Sequence, residues 1–164
     1  MRASSRFARK AEGLAGLARR PPRQKRLALE AAINLLAIKA MLTLLPSKKW
    51  LAGPVRAAGP ACEPLPEQQV AEVVWAVDRV SRRFPGFFTC LPRAAAVQRM
   101  LSARGAAATL AIGVARDAGD RFEAHAWVEH RGRVIIGRIP ELDRYHQLPA
   151  WPREGELRAR KRTA

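Results

Sequence analysis

The hydrophobic pattern changes period along the chain, and each change marks an element. In "LALEAAINLLAIKAMLTLLP", residues 27–46, apolar residues lie almost all round a helical projection. Glu30 and Asn34 share one face, and Lys39 and Thr43 lie roughly opposite. The run predicts a first helix over about residues 25–45. A helix this apolar must be covered on more than one side. A central core helix meets that need, and so does a helix with one side docked on a partner protein. Residues 52–66, "AGPVRAAGPACEPLP", read as a Pro/Gly-rich connector. Val70, Val73, Val74, Val77 and Val80 then mark one stripe at helical spacing, which predicts a second helix over residues 66–83. Pro85 and Gly86 stop it. A third helix is expected from Leu91 or Pro92 to Ala103, with Gly105 as its left-handed C-terminal cap.

Beyond Gly105 the period shortens to two. "ATLAIGVAR", residues 108–116, alternates Leu110, Ile112 and Val114 inward. "DAGD" turns the chain, "RFEAHAWVEH" over 121–130 alternates again, and "RVIIG" over 133–137 makes a third short strand. Helices first and an antiparallel sheet after them give an α+β fold, with N-terminal helices packed on a small sheet. No internal repeat is visible.

Charge sharpens the boundaries. The chain has 164 residues and a formal net charge of +16, from 30 Lys/Arg against 14 Asp/Glu. Residues 1–26 hold nine of the basic residues and one Glu, and residues 152–164 hold five and two Glu. The middle is therefore close to balanced. Residues 1–24 read as a basic, disordered arm, 25–151 as one domain and 152–164 as a basic tail. Basic arms suit nucleic acid or anionic surfaces, but no nucleic-acid-binding motif accompanies them. Two cysteines, Cys62 and Cys90, are too few for a disulfide framework, and a reducing cytoplasm fits them best. The apolar run carries Glu30, Asn34 and Lys39, so a transmembrane span is not expected, nor is a signal peptide with its uninterrupted apolar centre. Nothing in the composition calls for a metal or cofactor.

The chemistry gathers at "TCLPRAAAVQRML". Pro92 suits the first turn of a helix, where its missing N–H costs nothing. Cys90 then sits at or next to the N-cap. Unpaired backbone N–H groups and the positive end of the helix dipole favour thiolate there. The N–H groups of Cys90, Leu91 or Arg93 are candidates to hold an oxyanion. A cysteine nucleophile needs a base. His130 falls at the predicted hairpin turn and His146 near the end of the chain, and both read as surface residues. His125 lies inside a strand between Ala124 and Ala126, which leaves room for another element to approach. A cysteine at a helix start facing a histidine on a sheet is the arrangement of papain-like and transglutaminase-like enzymes.

Taken together, "TCLPRAAAVQRMLSARG", "TLAIGVAR" and "FEAHAWVEHRGRVIIG" resemble the transglutaminase-like leader peptidases of lasso-peptide biosynthesis, the peptidase part of the B protein. The likeness spans roughly residues 25–150. It implies a papain-like cysteine peptidase core that removes the leader from a ribosomally made precursor peptide. It also implies a separate leader-binding recognition protein and an ATP-dependent lasso cyclase as partners. By position, Cys90 matches the nucleophile and His125 the general base.

The third member departs from the pattern. The resemblance expects a carboxylate on the strand after the histidine. A three-residue "HRG" loop with Gly132 left-handed would set Glu129 opposite Arg133 and His125 opposite residue 137, which is glycine. Glu123, Glu141, Asp143, a backbone carbonyl or a water remain as candidates to orient the ring. Arg93, Gln98 and Trp127 serve packing or substrate contact, and Asp78 with Arg82 makes an i, i+4 pair. Two other functions compete: another cysteine–histidine acyltransferase, and a non-enzymatic basic adaptor.

Overall fold

The structure, a computed structural model, describes residues 21–44, 65–117 and 119–148. Most of the expected basic arm, the connector with Cys62, and the C-terminal tail lie outside these residues. Three helices precede a four-stranded antiparallel sheet, so the fold is α+β. The helices are α1 (Pro22–Leu44), α2 (Glu67–Ser81) and α3 (Cys90–Ser102). The strands are β1 (Thr109–Arg116), β2 (Phe122–His130), β3 (Arg133–Ile136) and β4 (His146–Gln147), in the order β3-β2-β1-β4.

Helix α1 is long and apolar enough to cross a membrane by length and composition. It is also a core helix. Leu27, Ala31, Leu35 and Ile38 are buried against α2 and α3. Its Glu30 is ion-paired at a half-buried position. Arg104, just past α3, grips Glu30 with both terminal nitrogens, Nη1 to Oε1 at 2.9 Å and Nη2 to Oε2 at 2.6 Å, and Nη1 also donates to the Met100 carbonyl. The Glu30 hydrogen bond is the main cause of an Arg104 pKa above the ordinary arginine value. Among the described residues, its remaining side is uncovered. Leu29, Ile33 and Leu36 face solvent.

The valine stripe of α2 turns inward, with Val70, Val73 and Val77 buried. Glu67 in its first turn complements the helix dipole. Helix α3 ends where Gly105 enters the left-handed region at φ 78°, and the Ala106 N–H reaches back to the Leu101 carbonyl. That closes the carboxyl end as a glycine-capped helix does. Helix α3, with α2 beside it at β3, packs on one face of the sheet, which contributes Ala126 and Val128 of β2 and Ile136 of β3 to the core.

The β2–β3 hairpin corrects the predicted register. The loop has two residues, Arg131 and Gly132, and both are left-handed at φ 50° and 71°. Such a pair is the tight turn that matches strand twist. His130 therefore pairs with Arg133, and Glu129 with Val134, not Arg133. A bulge follows. Val128 pairs with Ile136, leaving Ile135 as the extra residue. Strand β4, too short to show a pattern in the sequence, adds to β1 at Gly113 and Val114.

Candidate active site

Cys90 is the first residue of α3. Its N-cap, Thr89, is extended and makes no side-chain cap bond, so no hydroxyl occupies the helix start. The first N–H groups of a helix have no partner within it. Here they belong to Thr89, Cys90 and Leu91, since Pro92 in third place has none. Arg93 is one residue further in, where the N–H closes the first helical bond. The candidate oxyanion donors therefore narrow to the backbone before Pro92. The Cys90 thiol is free and half-buried, and it packs at the rim of the core.

The helix start is tied from behind. The Arg93 guanidinium donates to Asp78 Oδ1 at 2.7 Å, and Arg82 Nε reaches Asp78 Oδ2 at 2.6 Å. The predicted Asp78–Arg82 pair is thus one half of a clamp between α2 and the first turn of α3. Gln98 is buried, and its amide nitrogen faces Ser102 Oγ. Arg93 and Gln98 are both bound within the fold.

Strand alternation settles what surrounds His125. Ala126 and Val128 enter the helical core. Glu123, His125, Trp127 and Glu129 project from the other face. There the His125 ring lies parallel to Trp127, with centroids 6.3 Å apart and planes 18° apart, and it meets Tyr145 at 5.7 Å. Trp127 is buried and donates from Nε1 to Glu129 Oε1 at 2.8 Å. Gly113, paired with His125 across β1, leaves the space the indole fills. A Cβ at Gly113 would stand 2.8 Å from the Trp127 ring.

His125 Nε2 is 2.7 Å from the backbone oxygen of Gly137. A carbonyl only accepts, so this nitrogen carries the hydrogen. The lone pair is then on Nδ1. The carboxylates considered from the sequence do not take the Nε2 position. Glu123 accepts from Arg144 and from the Tyr145 hydroxyl at 3.2 Å. Glu141 pairs with Arg144 Nε at 3.1 Å, and Asp143 is exposed in the short 3-10 turn Leu142–Arg144. Tyr145 first, then Glu123 and Glu141, hold the Arg144 pKa above the ordinary arginine value.

Cys90 and His125 come from packed elements, since α3 lies against β2. His130 is buried, not a surface residue, and its Nδ1 donates to the Ala107 carbonyl at 2.6 Å. Cys90 packs on the helical face of the sheet, whereas His125 projects from the other face. No hydrogen bond joins the Cys90 thiol to the His125 ring among the described residues. His146 is exposed on β4. No cluster of three His, Cys, Asp or Glu able to hold a metal occurs among the described residues.

A family model described as the transglutaminase-like superfamily matches residues 34–150. No curated protein and no solved structure matches the chain.

Proposed function

The chain belongs to the transglutaminase-like superfamily, and from that premise we infer that it is a cysteine peptidase that cuts the leader from a ribosomally made precursor peptide. The superfamily membership supports cysteine–histidine acyl transfer, and Cys90 and His125 are the residues to carry it. The observation behind that assignment is the His125 ring, with its Nε2–H bound to Gly137 and its Nδ1 lone pair available as a base. The finer reading, leader cleavage, draws on the motif set "CLPRA", "QR", "RG" and "HAWVE" taken in that order.

His125 Nδ1 takes the thiol proton, and the Cys90 sulfur attacks the carbonyl carbon at the leader–core junction. The oxyanion is stabilised by N–H groups at the start of α3. Protonated His125 gives its proton to the departing amine of the core peptide, and a thioester to the leader remains. Water, deprotonated by His125, hydrolyses the thioester and frees the leader carboxylate. This sequence requires Sγ and Nδ1 to come within hydrogen-bonding reach once substrate is bound. A leader-binding protein presenting the substrate, and an ATP-dependent cyclase taking the freed core, are the partners of this scheme, in the cytoplasm.

The test is cleavage of a precursor peptide by purified protein, with and without the leader-binding partner, followed by mass spectrometry. Cys90→Ala should abolish cleavage and leave partner binding intact. Processing by that variant at near the wild-type rate would rule the mechanism out. Added primary amine separates peptidase from acyltransferase, because a transferase product carries the amine in place of a carboxylate. A basic adaptor would instead show salt-sensitive binding that survives Cys90→Ala and is lost on deleting residues 1–24.

A further inference from the structure

We propose that Gly137 is the positioning residue for His125, its backbone carbonyl standing where the family resemblance expects a carboxylate; this rests on His125 being the general base. The hydrogen bond from Nε2 to the Gly137 oxygen measures 2.7 Å, short for a neutral pair. Every carboxylate the sequence offered for the role is engaged by Arg144 or stands exposed in the 3-10 turn.

Only glycine delivers that carbonyl. The residue sits at φ 84°, in the left-handed region. A Cβ built there would lie 2.6 Å from the Ala126 carbonyl oxygen and 2.8 Å from both Cα and Cβ of Trp127. Two of these three neighbours are backbone atoms of β2 and the third is the first side-chain atom, so none can swing aside. Any side chain at 137 must push the local backbone off the strand and take the carbonyl away from the ring. The bulge at Ile135 is what brings this backbone in so closely. It advances β3 by one residue and the two-residue turn by another, so that Gly137 comes to lie beside Trp127 rather than opposite His125. Its carbonyl then reaches the imidazole two residues away.

The chemical consequence is direction without charge. A carbonyl acceptor fixes the hydrogen on Nε2 and the lone pair on Nδ1, as a carboxylate would. It also keeps the Nε2–H bond when Nδ1 becomes protonated. The Trp127 and Tyr145 rings fix the plane of the imidazole, and Gly137 fixes its rotation within that plane.

The test is nitrogen NMR of protein labelled with 15N-histidine, combined with precursor cleavage kinetics. In the wild type, neutral His125 should be the Nε2–H tautomer. In Gly137→Ala it should become a tautomer mixture, and kcat should fall about 10²-fold while KM changes little, as expected when a reacting group is misplaced and binding is not. A wild-type ring that carries its hydrogen on Nδ1 overturns the proposal, and this spectrum does not depend on the variant folding. A folded Gly137→Ala protein that keeps both the tautomer and kcat overturns it equally. An inactive wild-type protein with the predicted tautomer would sink the general-base reading, and with it the catalytic meaning of Gly137, while leaving the hydrogen bond standing.

Discussion

Leu35→Ala tests whether α1 belongs to the folded core. The side chain is fully buried, at 0% exposure, within the cluster that joins α1 to Val73, Val77, Val97 and Leu101. Truncation removes three carbons, worth roughly 0.8 kcal/mol each in lost transfer energy, or about 2.4 kcal/mol together. The cavity left behind adds to this, because the neighbours come from two other helices and close only partly. A loss of about 3–4 kcal/mol follows, inside the range of about 2–5 kcal/mol for buried leucines. The matched control is Ile33→Ala, two residues earlier on the same helix and 59% exposed. It should cost about 0.5 kcal/mol or less. Urea unfolding followed by far-ultraviolet circular dichroism measures both. The m-value should stay constant and the midpoint should move only for Leu35→Ala. For a domain of this size each kcal/mol lowers Tm by about 2–8 °C, so the thermal shift should exceed about 6 °C. Equal effects of the two substitutions would refute the core assignment. That result would leave α1 as a helix held by something outside this fold, such as a bilayer or a partner.

Cys90→Ala should abolish leader removal without changing the unfolding midpoint by more than about 1 kcal/mol, because the thiol is half-buried and at the helix start. Asp78→Ala should cost about 1–2 kcal/mol, less than a fully buried pair because both partners are partly exposed; an Asp78→Ala/Arg93→Met double variant should recover part of the loss, and strict additivity of the two would deny the clamp. The Asp117 carboxyl is held below the usual carboxylate range, chiefly by the Arg121 backbone N–H, then by the Arg121 side chain, with the Gly119 N–H adding to both. Its folded pKa is depressed, so its contribution is present above the unfolded value of about 3.9 and is lost as pH falls through the folded one. Urea midpoints measured from neutral pH down through that window should fall less steeply for Asp117→Asn than for the wild type, and identical slopes would contradict the assignment.

The helices were legible because their evidence is a repeated stripe. All five stripe valines of α2 face inward, fully or in part, against the core, and Gly105 caps α3 with the backbone its position implies. The α+β order was equally plain from the change of period. The hairpin register was not, for a local reason. Gly132 announces a left-handed residue, but Arg131 in the same conformation does not, since arginine carries no preference for φ 50°. Taking the turn as three residues instead of two, and having no sign of the bulge, placed residue 137 opposite His125 when it lies beside Trp127. His130 was misplaced for the same reason. A shorter turn draws it into the ladder, with its ring toward the core and its Nδ1 on Ala107. The candidate nucleophile and base stand out because cysteine and histidine are rare letters with distinctive chemistry. The group that orients the base could not be, because every residue has a carbonyl and only the fold selects one. What the sequence could show was a glycine at position 137 where a carboxylate was expected. On the proposed reading that absence has a use, since a missing Cβ is what lets the main chain approach β2 and its carbonyl reach the His125 ring.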